Sequence, residues 1–350
     1  MRIVTRYSLP IGIVIAALMV WVYFPFTADD AYIVGRYANN LAQGNGWVFN
    51  VGEQVSALTS PLHGLLSALL AGITGDPILS YKLLAIGFVV IALALLIQRL
   101  RDEPATLALF VPMALIAGPI WLWATGGLET SLLLLLVTLI GIQAIDLKHR
   151  PARNFLLICG LAGLIVITRY DAVLFAAPIV LTATWQVRQP RLIAIGYAIG
   201  AAIVLVWLGF AWWYFGDILP TSFYVKTPSS NGLLLLANSI YILQYLVIIP
   251  IIPASFLLLM LKRSKGSTDA SAPSNIAQRG VYLGFGLMLL YGTTMATEHM
   301  LFSMRFFVPY VPLLAFHIAQ ALRPHALRIQ RAPSMRSLFL GNLALLWAIP

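Results

Sequence analysis

The chain has 350 residues, 60% hydrophobic and 10% charged, where a soluble domain carries roughly a quarter charged residues. An ordinary soluble protein is therefore excluded and a polytopic membrane protein is expected. The formal net charge of +10 does not point to nucleic acid, because the bases fall in short clusters between apolar runs rather than on one patch or stripe. The single cysteine, Cys159, lies inside an apolar run, so no intramolecular disulfide and no cysteine-based metal site can form.

The first apolar run, Pro10 to Phe26, is longer than the roughly 7–15 residues of a signal-peptide core and reads as a retained helix. Asp29 and Asp30 follow it, adjacent carboxylates in a chain with only 12 acidic residues. Tyr32 to Leu41 then predicts a short amphipathic helix on the membrane surface. Ile33, Val34, Tyr37 and Leu41 share one side, Arg36, Asn39, Asn40 and Gln43 the other, and Gly44-Asn45-Gly46 ends it. The apolar stretch at 60–75 begins at Pro61 and ends at Gly75-Asp76-Pro77. It is read as a re-entrant or surface helix, since a crossing there would invert every later loop; the first extracytoplasmic loop then runs over 27–79.

Apolar runs at about 9–26, 80–98, 105–124, 129–146, 154–168, 172–186, 192–214, 233–261, 280–297 and 306–322 predict ten spans. An eleventh begins at Leu338 and is cut off at Pro350, so the sequence is expected to be incomplete. The fold class is thus an all-α transmembrane bundle, a single domain over 1–350. With the N-terminus in the cytoplasm, most of the 22 basic residues lie inside, as the positive-inside rule requires. The exceptions are Arg36, Lys82, Arg169, Lys226 and Arg305, which fall outside with the acids Asp29, Asp30, Glu53, Asp76, Glu129, Asp171, Asp217 and Glu298. Bases held on the wrong side invite a functional explanation. Trp21, Tyr23, Tyr81, Trp121, Trp123, Trp212, Trp213 and Tyr214 are expected at the outer interface. Ser264 to Asn275 reads as a cytoplasmic loop, and no internal repeat is visible.

The outer charges carry the chemistry, each with a structural alternative. Asp29 and Asp30 either cap the amphipathic helix or supply a general base that takes a proton from an acceptor hydroxyl, the second carboxylate orienting the first or holding a metal. Lys226, in the loop that follows Phe215-Gly216-Asp217, either snorkels or neutralises a phosphate together with Arg305. Arg169 and Asp171 either close a hairpin or meet substrate. Glu129 either caps the fourth span or contacts sugar hydroxyls. His63 and His299 are too far apart in sequence to argue zinc; a divalent ion, if used, would be oxygen-bound at Asp29 and Asp30.

These residues, in this order, resemble the GT-C superfamily of integral-membrane glycosyltransferases, nearest to the branch of the mycobacterial terminal β-(1→2)-arabinofuranosyltransferases and their bacterial relatives. The stretches that carry the likeness are Asp29-Asp30-Ala31-Tyr32 with Arg36-Tyr37-Ala38 and Gly46-Trp47-Val48-Phe49-Asn50; Thr59-Ser60-Pro61-Leu62; Gly127-Leu128-Glu129-Thr130; Thr168-Arg169-Tyr170-Asp171; Phe215-Gly216-Asp217 through Pro220 to Lys226; and Arg305-Phe306-Phe307-Val308-Pro309. The resemblance implies a GT-C fold and a polyprenyl-phosphate-linked sugar donor, with a catalytic Asp in the first extracytoplasmic loop, here on the Asp29-Asp30 pair, and inversion in most members. In the scheme these residues suggest, Lys226 with Arg305 would bind the donor phosphate, supported by Arg169, and Glu129, Tyr32, His63, Asp217 and His299 would line the sugar and acceptor sites. The implied acceptor is a glycan, lipid-linked or protein acceptor at the periplasmic face of a bacterial inner membrane, and no cofactor is required. Where relatives commonly carry Arg-Pro-Glu this chain has Arg169-Tyr170-Asp171, which leaves the role of Asp171 open. A transporter or lipid flippase is the alternative; it predicts ionisable residues near the bilayer midplane and broken helices repeated in two halves.

Overall fold

The computed structural model describes residues 2–221, 276–295 and 302–331. The expected span at 233–261, the loop from Ser264 to Asn275, the segment from Leu338, and Lys226, Glu298 and His299 lie outside the described residues. Within them every regular element is a helix: α1 (Arg2–Tyr23), α2 (Asp29–Ala42), α3 (Pro61–Thr74), α4 (Pro77–Leu100), α5 (Pro104–Phe110), α6 (Gly118–Thr125), α7 (Thr130–Asp146), α8 (Pro151–Thr168), α9 (Val173–Val187), α10 (Pro190–Phe215), α11 (Ile276–Met295) and α12 (Val311–Arg331). The all-α polytopic bundle expected from the apolar runs is what forms among the described residues.

Local chemistry sets the boundaries. Helices α3, α4, α5, α8 and α10 each begin on a proline, whose fixed φ suits the first helical position and whose missing N–H is unneeded there. Asp76 adds a side-chain cap to α4, accepting from the backbone N–H groups of Ile78 and Leu79 at 3.0 and 2.9 Å.

Four helical stretches are long and apolar enough to cross a bilayer: α4, α8, Tyr170–Val187 and α10. The expected single span at 105–124 is instead broken. α5 passes through a π-helical turn at Val111–Leu115, and α6 leaves at 48° to it. Pro112 lies in that turn and Pro119 in the first turn of α6, each removing a ladder donor; the Trp121 indole N–H donates to the freed Leu115 carbonyl at 2.8 Å. Counted as one span, the bent pair makes five among the described residues; the ten expected include 233–261, which lies outside them. Tyr7–Tyr23 of α1 and the whole of α7 are apolar but shorter, and α12 is apolar only as far as Leu322 before its basic end. α3, at 14 residues, rises about 21 Å, short of the roughly 30 Å hydrocarbon core, and fits the reading that it does not cross.

Close helix approach rests on small residues. Gly196 and Gly200 of α10 meet Cys159 of α8, and a methyl built on Gly200 would stand 2.8 Å from the Cys159 carbonyl oxygen. Gly280 and Gly284 of α11 lie against the Pro178 and Phe175 carbonyls of α9 in the same way. Both pairs have the four-residue spacing that lets membrane helices pack backbone to backbone.

The chain alternates between two ends of the bundle. One end is tied by Arg99 to Asp146 and by Arg323 to Glu103 at 2.7 Å. The other gathers the C-terminal end of α1, the starts of α2 and α4, the α6–α7 and α8–α9 turns, and residues 302–310.

The first loop is folded rather than loose. α2 starts at Asp29, three residues earlier than expected. Asn40, expected on its solvated face, is buried and donates to the carbonyls of Val48 and Phe49 at 2.8 and 2.9 Å. Buried backbone carbonyls need a donor, and a loop wrapped over this face supplies the demand. Tyr37 hydroxyl donates to the Val55 carbonyl at 2.6 Å and accepts from the Ala57 N–H at 3.2 Å. Trp47, Tyr37 and Leu58 form a small core with Trp207 and Ala211 of α10. Of the expected interfacial aromatics, Trp21, Trp212 and Trp213 are exposed, whereas Tyr81, Trp121 and Trp123 are buried inside the bundle.

Candidate active site

At the second end, residues far apart in sequence form one continuous ion-pair cluster. Arg305 Nη1 lies 3.2 Å from Asp30 Oδ2, and its Nη2 is 3.7 Å from Glu129 Oε1. The same Glu129 oxygen accepts from Arg169 Nη1 at 3.1 Å. Arg169 also holds Asp171 through two bonds, Nε to Oδ1 at 3.0 Å and Nη2 to Oδ2 at 2.7 Å. Exposure grades along the chain of pairs: the side chains of Glu129, Asp171 and Arg169 are 6, 13 and 15% exposed, while Asp30 is 38% exposed. The cluster is therefore dry at its root and open at Asp30.

Backbone geometry delivers each member. Gly127 adopts φ +78°, and a Cβ there would stand 3.0 Å from that of Ala31. Only glycine accepts both conditions, so the turn before α7 lies directly on the first turn of α2. The Ala28 N–H donates to the Gly126 carbonyl at 3.0 Å, fixing that contact. Lys82, buried at the start of α4, ties the preceding turn, its Nζ donating to the Phe24 carbonyl and to Thr27 Oγ1, both at 2.8 Å. Arg305 follows Ser303 and Met304, at φ 44° and 57°, a left-handed stretch that costs roughly 1–3 kcal/mol per residue. The Trp123 indole N–H donates to the Ser303 carbonyl at 3.0 Å, and its ring lies 5.4 Å from the Arg305 guanidinium. The Phe306 ring lies 5.4 Å from the Arg169 guanidinium.

Electrostatics follow from this packing. Burial pushes the Glu129 carboxyl up, but Arg305, Arg169 and His63 outweigh it and hold the group at about 2. His63 of α3 is buried against Tyr81, ring centroids 4.0 Å apart. Burial lowers its imidazole to about 4, Glu129 opposing and Arg305 adding, so it is neutral at physiological pH. Burial disfavours charge on Arg169, but Asp171 and Glu129 reverse the balance and keep it protonated.

Of the residues singled out from sequence, Asp30, Glu129, Arg169, Asp171 and Arg305 are brought together, with His63 beside them. Glu129 makes no side-chain cap to α7, so its carboxylate is spent on the two guanidiniums. Asp29 is exposed, its Oδ1 accepting from the Asp30 N–H at 2.9 Å. Tyr32 is 60% exposed on α2 and does not join the cluster. Asp217 accepts from the Leu219 N–H at 3.1 Å, shaping a turn that Thr221 ties to the Ser56 carbonyl of the first loop. Lys226 and His299 lie outside the described residues.

Sequence reasoning missed Lys82 as a tether and Trp123 as a brace. It also missed Tyr81, Thr130 and Tyr310, whose buried hydroxyls have no hydrogen-bond partner, as is true of His63 Nδ1 and Arg305 Nε. Unpaired buried polar groups each cost roughly 1–3 kcal/mol, and these five lie around Glu129 and Arg169. Among the described residues no three His, Cys, Asp or Glu gather as a metal site, and Asp30 already faces a guanidinium.

Fold and site together define a multi-pass α-helical membrane protein with a buried acid–base cluster at one end. Among curated proteins the chain is similar to the terminal β-(1→2)-arabinofuranosyltransferase of Mycobacterium tuberculosis (strain ATCC 25618 / H37Rv), 27% identical over 237 residues. The match covers 60% of this chain and 37% of that protein, so it spans little more than a third of the relative's length. No family model matches the chain, and no solved structure matches it. The similarity supports a glycosyltransferase role in general terms.

Proposed function

We propose that the protein is a membrane glycosyltransferase that moves a sugar, an arabinofuranose or another pentose or hexose, from a polyprenyl-phosphate donor to a cell-envelope glycan or glycoconjugate. The reaction takes place at the periplasmic face of a bacterial inner membrane. The observation that carries this reading is the joining of Asp30, Arg305, Glu129, Arg169 and Asp171 at one end of an apolar bundle. Midway along the described helices there is no comparable gathering of charge, which is where a transporter's relay belongs.

In the reaction, the acceptor hydroxyl oxygen attacks the anomeric carbon while the bond from that carbon to the phosphate oxygen breaks. The bonding electron pair leaves with polyprenyl phosphate, and the hydroxyl proton passes to a carboxylate. Asp30 is the base, because it is the cluster's carboxylate with the greatest exposure and so can be reached by an acceptor. Arg305 neutralises the departing phosphate, supported by Arg169 and by Lys226 of the later loop. Attack from the side opposite the phosphate inverts the anomeric centre.

The test is reconstitution of the protein in liposomes with radiolabelled polyprenyl-phosphate sugars and membrane acceptors. Transfer of label with release of polyprenyl phosphate is expected; a full donor panel left unconsumed would contradict the proposal.

A further inference from the structure

The cluster joins three carboxylates, of Asp30, Glu129 and Asp171, to two guanidiniums, so it is short of positive charge before any anion arrives. A phosphate cannot simply be added: like charges in a partly dry site repel strongly, and an existing ion pair has to yield. The pair least protected from water is Arg305 with Asp30, whose carboxylate side chain is 38% exposed against 6% for Glu129. Pairs so exposed are worth little. Arg305 is also incompletely bonded where it stands, since its Nε–H is buried without an acceptor, a defect that a phosphate presenting several oxygens would repair. The residues that deliver it, Ser303 and Met304, are held at left-handed φ, the kind of strained segment that has another conformation within reach.

We infer that Arg305 is a shared cation: without donor it covers Asp30, and the phosphate of the donor takes it over while Glu129 keeps hold of its other side. Donor binding thereby uncovers the base. The inference rests on the glycosyltransferase reading for the identity of the anion, and goes beyond it in making the base and the donor site compete for one guanidinium. With Arg305 drawn to the phosphate, the acceptor hydroxyl no longer competes with a guanidinium for the Asp30 carboxylate, so acceptor activation follows donor binding.

The test measures binding of farnesyl phosphate, and of neutral farnesol as a control, to the full chain in nanodiscs for wild type, Asp30→Asn, Arg305→Gln and the double variant. Asp30→Asn should tighten farnesyl phosphate binding about two- to fivefold, the scale of a partly exposed ion pair, and the gain should vanish when Arg305→Gln is also present. Farnesol affinity should be equal in all four, which reports an intact fold. Affinity for farnesyl phosphate unchanged or weakened by Asp30→Asn, a gain that survives Arg305→Gln, or no farnesyl phosphate binding by any form would overturn the inference. Tighter binding without sugar transfer from any donor leaves the exchange standing and sinks the glycosyltransferase reading; transfer with unchanged affinity does the reverse.

Discussion

Glu129 is the residue on which the cluster turns, since one of its oxygens serves both Arg169 and Arg305. Replacing it by Gln leaves two guanidiniums facing each other in a dry site, and breaking a buried pair in this way costs roughly 3–5 kcal/mol. Glu129→Gln should therefore lower the unfolding midpoint in detergent well beyond the effect of Glu53→Gln on the exposed loop, and an equal midpoint would argue against a structural role. His63 gives the site a pH signature. Its folded value, about 4, lies below its ordinary 6.5, so the unfolded chain takes the proton first. Its contribution is whole above pH 6.5 and declines as pH falls toward 4, by roughly 3 kcal/mol in all. Glu129, held at about 2 against an ordinary 4.5, adds a second loss as pH drops from 4.5 toward 2. Unfolding measured against pH should show a smaller upper phase in His63→Phe and an unchanged lower one. At this scale the sequence disclosed identities and one pairing, Arg169 with Asp171, which the structure contains: Arg169 and Arg305 stood out because bases had collected on the disfavoured side, beside the acids Asp30 and Glu129. That Glu129 joins both arginines is a matter of side-chain direction, which no spacing encodes.

Among elements, the turn from Gly126 to Glu129 registers the acid-bearing helix α2 against α7. Gly127→Ala faces both a positive φ and the Ala31 Cβ at 3.0 Å. It should cost about 1–2 kcal/mol and should depress sugar transfer more than stability, because α2 shifts away from Arg305. A Gly127→Ala enzyme with wild-type turnover would show that this contact does not position the site. Helix existence was readable from apolar runs and from prolines at their starts. The break between α5 and α6 was readable only in part: Pro112, Gly118 and Pro119 were in view, but an apolar run of spanning length concealed them. The inward turn of Trp123 was hidden for a similar reason, since an aromatic residue at a helix end suits both the interface and a buried cation. Asn40 was assigned to water by periodicity and is held inside by the loop that wraps α2, a tertiary demand that helical spacing does not register.

For the molecule as a whole, charge sorting predicts the cluster on the extracytoplasmic side. Cys159 is the single cysteine and is buried, so Cys159→Ser gives a background in which Glu53→Cys should react with a membrane-impermeant maleimide added to spheroplasts, while Arg101→Cys should not. The opposite pattern would invert the topology. The all-α bundle was legible from the apolar runs; that the motifs around Asp30, Glu129, Arg169 and Arg305 meet was legible only as a resemblance, because their meeting depends on helices that alternate between two ends. The account's central claim is that the cluster at one end transfers sugar with Asp30 as the base. The measurement that tests it most directly is the rate of sugar transfer from polyprenyl-phosphate donors by reconstituted wild type, Asp29→Asn and Asp30→Asn at matched expression. The account predicts transfer by the wild type, a loss of about 100-fold or more in Asp30→Asn, and a smaller loss in Asp29→Asn. Near-wild-type transfer by Asp30→Asn would contradict it.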